Sequence, residues 1–119
     1  THFKKNKLMN IIRQSTSAII HPMGSLDATT SDALRMSVLE AFEGGAQTLL
    51  IDCQNVTFLD SSGLSAMVMS LKKARELNCQ LALCSVDEQA MMLIQLTGMN
   101  KVFNILEDRA AFQKMLECV

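Results

Sequence analysis

The second half of the chain alternates in a way that leaves few folds open. Thr48 to Cys53 and Gln80 to Cys84 are short, nearly unbroken apolar runs, and Phe103 to Leu106 is a third, shorter one. After them come stretches whose apolar residues recur at three- and four-residue steps. Leu64, Met67, Val68, Leu71 and Ala74 form the first stripe, Asp87 to Leu96 holds the next, and Ala111, Phe112, Met115 and Leu116 form the last, within Asp108 to Cys118. An apolar run without alternation is a strand covered on both faces, and a stripe at helical spacing is a helix covered on one. Three such strand–helix pairs in succession require parallel strands joined by right-handed crossovers.

The first half reads differently. Leu8 to Arg13 and Ser17 to His21 predict an antiparallel strand pair, and Pro22-Met23-Gly24-Ser25 predicts a turn. Asp27, Thr29 and Thr30 are candidate caps for a helix carrying Leu34, Val38, Ala41 and Phe42 inward, which Gly44-Gly45 ends. The expectation is an α/β domain with a mixed sheet.

Composition narrows the function. The 119 residues suit one domain, residues 8–119, with residues 1–7 as a flexible tail. The 11 basic side chains are matched by 12 acidic ones, which speaks against a nucleic-acid binder. Lys4, Lys5 and Lys7 read as part of the solvated tail. No apolar run approaches the ~20 residues of a membrane span, and no signal peptide is visible. The cysteines at 53, 79, 84 and 118 have neither redox nor zinc spacing, and His2 and His21 stand apart from them. Reduced thiols in a cytoplasmic protein, without metal or cofactor, are expected. Of the nine methionines, Met67 and Met69 cannot share one helix face, so one of them faces outward within two turns of Ser61.

Chemistry concentrates in Phe58-Leu59-Asp60-Ser61-Ser62-Gly63-Leu64, where a strand and short link run into a helix start. Free backbone N–H groups and the positive end of the helix dipole meet two hydroxyls there, a natural place for a phosphate. One reading makes Ser61 the helix cap, with Ser62 and Ser65 as small packing residues. Gly63 costs helix stability, so its small size points to a close approach by another molecule. A hydrolase would need a base beside Ser61; His21 is the one candidate, and the Gly-x-Ser-x-Gly elbow is absent. A metal-assisted aspartyl-phosphate receiver would draw on Asp52 and Asp60 with Lys101, but no acidic pair adjoins Asp52 to share the metal. Catalysis is not expected.

The residues also resemble a known family. Pro22-x-Gly24-x-Leu26-Asp27-Ala28, Phe58-x-Asp60-Ser61-Ser62-Gly63-Leu64, and Leu96-Thr97-Gly98-Met99 followed by Val102-Phe103-x-Ile105 are similar, in order and spacing, to STAS domains of the anti-sigma factor antagonist type. The resemblance spans roughly Leu8 to Leu116. It implies a mixed sheet of four to five strands, mostly parallel after the N-terminal pair, with about four helices packed mainly on one face. It further implies partner switching. The unmodified protein would bind an anti-sigma factor that is also a serine kinase and free a sigma factor, phosphorylation on Ser61 would end binding, and a serine phosphatase would reset the cycle. Ser62 is the second choice for the modified hydroxyl. Gly24, Ser25, Leu26, Asp27, Asp60, Ser61, Ser62, Gly63 and Leu64 are the expected partner contacts, in a monomer or weak dimer with no enzymatic activity. The alternative within the same family is a ligand-sensing or transport-associated module outside serine control.

Overall fold

The computed structural model describes residues 9–14 and 16–117. The tail expected for residues 1–7, the domain start at Leu8 and the end of the last expected helix at Cys118 lie outside the described residues. In chain order the elements are β1 (Met9–Gln14), β2 (Ser17–Pro22), β3 (Gly24–Leu26), α1 (Ser31–Glu43), β4 (Thr48–Asp52), β5 (Val56–Leu59), α2 (Ser61–Glu76), β6 (Gln80–Cys84), α3 (Glu88–Leu96), a 3-10 turn at Met99–Lys101, β7 (Asn104–Leu106) and α4 (Arg109–Glu117).

The main sheet runs β1-β2-β4-β6-β7. Its first pair is antiparallel, with Asn10 opposite His21, and the remaining strands are parallel. Strand pleating sorts the apolar runs into two cores. Ala18, Ile20, Leu49, Ile51, Leu81 and Leu83 face α1, α2 and α3, whose Leu34, Val38, Phe42, Leu64, Met67, Leu71 and Ile94 complete that layer. The alternate residues Ile19, Leu50, Ala82 and Cys84 face the other way and are closed by Phe112, Met115 and Leu116 of α4. Covering on both faces is why β4 and β6 carry no polar alternation. Three helices therefore lie on one face and one on the other, in keeping with the STAS-like arrangement expected.

One feature departs from the sequence reading. Pro22 closes β2, and Gly24–Leu26 is not simply a turn but a strand, paired in parallel with Val56–Leu59 in a separate two-stranded ribbon. Gly24 has φ +89°, the register shifts between Gly24 and Ser25, and its N–H donates to the Asn55 carbonyl at 3.0 Å. The positive φ there suits a bulge that only glycine enters without strain. β5 escaped notice because its burial runs buried, exposed, exposed, buried, which breaks the period of two.

Candidate functional site

The ribbon delivers the chain into α2. Asp60, in extended conformation, is the cap: its Oδ1 accepts from the Gly63 N–H at 3.0 Å and its carbonyl from the Leu64 N–H at 2.9 Å. Ser61 is thus the first helical residue, exposed to solvent, and does not serve as the cap. A carboxylate one position earlier satisfies the helix N–H and leaves the serine hydroxyl outside. Ser62 is half-buried.

Gly63 is small because of its own chain. A Cβ on it would stand 2.2 Å from the Leu26 carbonyl oxygen and 2.8 Å from Leu59 Cδ1. The close approach expected from another molecule is therefore made by β3. The same Leu26 carbonyl accepts from the Asp60 N–H at 3.1 Å. Ser31, at the start of α1, ties the two segments again: its hydroxyl lies 2.6 Å from the Asp27 carbonyl and 3.0 Å from the Ser62 carbonyl. The expected contact residues of Gly24–Asp27 and of Asp60–Leu64 thus form one surface. Leu26, Gly63 and Leu64 are buried in it and shape the loop from inside, whereas Gly24, Ser25, Asp27, Asp60 and Ser62 are half-buried and Ser61 is exposed.

Asp27 stands before the helix and does not cap it directly. Thr30 holds the cap position, but its hydroxyl donates to the Ser25 carbonyl and accepts from the Asp27 N–H and makes no bond to the helix N–H groups. The Asp27 carboxylate accepts from the Thr29 hydroxyl at 2.6 Å and its N–H at 2.9 Å, and these bonds hold its carboxyl below the usual range. A fixed negative charge therefore lies beside the ribbon at neutral pH.

A groove leads away from Ser61 between α1 and α2. Its near end, about 360 Å³, is lined by Ser61, Ser65, Arg35 and Met69 among others. Its far end, about 400 Å³, is lined by Met36, Val38, Leu39, Met69 and Lys73. Met69 is the outward methionine, at 45% exposure, while Met67 is buried in the core.

His21 and Asp52, the residues of the catalytic alternatives, are both engaged with Arg109. His21 Nδ1 lies 3.1 Å from an Arg109 nitrogen, so the imidazole is engaged with α4. Asp52 is hydrogen-bonded to Arg109 and to the Gln54 N–H, and Lys101 lies in the exposed 3-10 turn. Among the described residues no cluster of His, Cys, Asp or Glu could hold a metal ion. Among them too, no helix is long and apolar enough to cross a membrane.

A mixed sheet with a short parallel ribbon leading into its second helix defines the class: a small α/β domain with helices on both faces. The chain belongs to the STAS-domain family, whose model matches residues 9–111. It is 28% identical over 102 residues to an anti-sigma F factor antagonist of Paenibacillus polymyxa, across 85% of this chain and 87% of that one. The anti-sigma factor antagonist SpoIIAA, solved in its unphosphorylated form, superposes with TM-score 0.78 at 17% identity, covering 93% of this chain and 98% of that one. A sulfate transporter family protein from Wolinella succinogenes superposes with TM-score 0.76 at 16% identity, over 91% and 93%. At these identities the structural likeness is one of fold.

Sequence reasoning overlooked Ser31, the apolar groove and Gln89, whose carboxamide bonds the Leu59 backbone. Each acts across a distance in the chain, and no local pattern announces it.

Proposed function

We propose that this protein is a cytoplasmic anti-sigma factor antagonist that works by partner switching. In its unmodified form it binds an anti-sigma factor with serine kinase activity and frees a sigma factor. Phosphate on Ser61 ends that binding, and a serine phosphatase restores it. The observation that carries the reading is the exposed Ser61 hydroxyl on a helix start whose capping is done by Asp60. Ser61 is favoured over Ser62 because a kinase must reach the hydroxyl, and Ser62 is half-buried. The antagonist names carried by relatives support the general role.

A phosphoserine carries about −1.5 to −2 charges at pH 7. On its own helix start the dianion meets N–H groups worth about 0.3–1 kcal/mol, and Asp60 next to it opposes that gain. The fold is therefore indifferent to the modification. At a docked interface the dianion must be desolvated, and about 3 kcal/mol of cost there is two decades of affinity. The test is mass spectrometry after incubation with ATP and the cognate kinase, joined to a pull-down. Phosphate on Ser61 and loss of binding by Ser61→Asp are expected, and an Asp variant that binds like wild type refutes the switch.

The second reading, a ligand-sensing or transport-associated module, draws on the apolar groove lined by Met36, Leu39 and Met69 and on the transporter-family neighbour. It predicts an unmodified Ser61 and a small apolar molecule retained through purification.

A further inference from the structure

We propose that Gln89 of α3 is a positioning residue for Ser61, its carboxamide replacing a third strand along the open edge of β5. The inference rests on the reading of Ser61 as phosphate acceptor. Among the described residues β5 pairs with β3 alone, so the backbone groups on its other side face no described strand. Gln89 fills that role at one residue. Its Nε2 donates to the Leu59 carbonyl at 2.7 Å, and its Oε1 accepts from the Leu59 N–H at 3.0 Å. A single side chain thus offers the donor and the acceptor that a neighbouring strand would offer.

The placement matters because Leu59 is the last ribbon residue, two positions before Ser61. On the opposite edge the Asp60 N–H is held by the Leu26 carbonyl, and Gly63 packs against the same carbonyl. The turn into α2 is therefore gripped from two sides, and Gln89 supplies the grip that comes from α3. Its own backbone is fixed: the Asp87 side chain caps α3 at the Ala90 N–H, and Ala90 and Ile94 are buried in the main core. Phosphoryl transfer needs the acceptor oxygen aligned with the donor to a fraction of an ångström, and small misplacements are costly in rate. Releasing Leu59 widens the set of positions that Ser61 samples, while the exposed surface of the Gly24–Asp27 segment, which a partner meets first, stays as it is.

Gln89→Leu keeps the volume and removes both hydrogen bonds; Gln89→Glu keeps the acceptor and removes the donor. Both are compared with wild type using the serine kinase that modifies wild type, with the Leu59 amide followed by hydrogen exchange. Gln89→Leu is expected to lower kcat about tenfold while KM moves less than about twofold. Leu59 exchange should rise with amides of β4 and β6 still protected, and Gln89→Glu should fall between. Should Gln89→Leu not fold, Gln89→Glu carries the same comparison, with a smaller loss of kcat expected. An unchanged kcat with faster Leu59 exchange makes Gln89 purely structural and overturns the inference alone. Rate loss matched by lost protection in β4 and β6 overturns it too. A wild-type protein that no serine kinase modifies overturns the reading beneath it together with the inference.

Discussion

Arg109, the first residue of the last helix, hydrogen-bonds through Nε to Oδ2 of Asp52, the last residue of the central strand, whose side chain is fully buried. A cation at a helix N-terminus is disfavoured by the dipole, so the buried carboxylate is what holds it there. Removing the guanidinium leaves the buried Asp52 carboxylate with only the Gln54 N–H and the weakly donating Cys84 thiol. Breaking a buried pair from one side is expensive, and with Arg109 partly exposed Arg109→Ala is expected to lose about 2–4 kcal/mol. Urea denaturation of the variant against wild type measures it.

The same pair makes stability depend on acid. Burial opposes the charge on Asp52, but the Arg109 hydrogen bond, the Gln54 N–H and the Arg109 charge outweigh it and hold the carboxyl below its ordinary value. A lowered folded pKa means that the unfolded chain takes up the proton first as pH falls. The contribution is complete above the unfolded value of about 4 and drains away as pH drops through the folded one. Wild type should therefore lose stability below about pH 4 more steeply than Asp52→Asn, as midpoints across a pH series would show.

The strands of the main sheet and the helices were legible because each carries its own period: β4 and β6 as unbroken apolar runs, α1 and α2 as stripes. The site was legible in its residues but not in its joinery. Asp60, Ser61 and Gly63 stood out as a helix start, yet nothing local told which residue caps it, because Asp60 and Ser61 are both good caps. That choice follows from the Leu26 carbonyl, which fixes the Asp60 N–H and places the carboxylate over Gly63. The ribbon stayed hidden for a related reason: three residues at Gly24–Leu26 become a strand through a partner some thirty positions away.

Capping and charge can be separated at Asp60. Asp60→Ala removes the bond to the Gly63 N–H and is expected to cost about 1 kcal/mol. Asp60→Asn keeps a cap of equal quality and should melt close to wild type. Asn also removes the negative charge beside Ser61, so phosphorylated Asp60→Asn should gain stability over its unmodified form, where phosphorylated wild type gains little. Calorimetry of the four proteins reads this directly.

The buried thiols should be silent. Burial pushes Cys53 far up, and burial likewise raises Cys84 to about 11, so both remain protonated at neutral pH. Since the thiolate is the reactive form, neither should take up iodoacetamide at pH 7.5 in the folded protein. Both should label once urea unfolds the chain. Peptide mapping by mass spectrometry distinguishes the two states.

Gly63→Ala tests whether the helix start is held by its own chain. On propensity alone alanine should stabilise the first turn by up to about 1 kcal/mol. The new methyl, however, would meet the carbonyl oxygen and carbon of Leu26 at 2.2 and 2.6 Å, backbone atoms that cannot swing aside as a side-chain tip would. Either α2 lifts from β3 or the Leu26 carbonyl turns away from the Asp60 N–H, and overpacking of this kind costs about 1–3 kcal/mol. The net result should be a lower Tm, with phosphorylation of Ser61 slowed because the turn that presents it has moved. Ser61→Ala is the control: its exposed hydroxyl should be dispensable for folding to within about 0.5 kcal/mol, and its loss should abolish modification alone. A Gly63→Ala protein as stable as wild type would mean that the ribbon yields freely, and the tight seat described for α2 would be wrong.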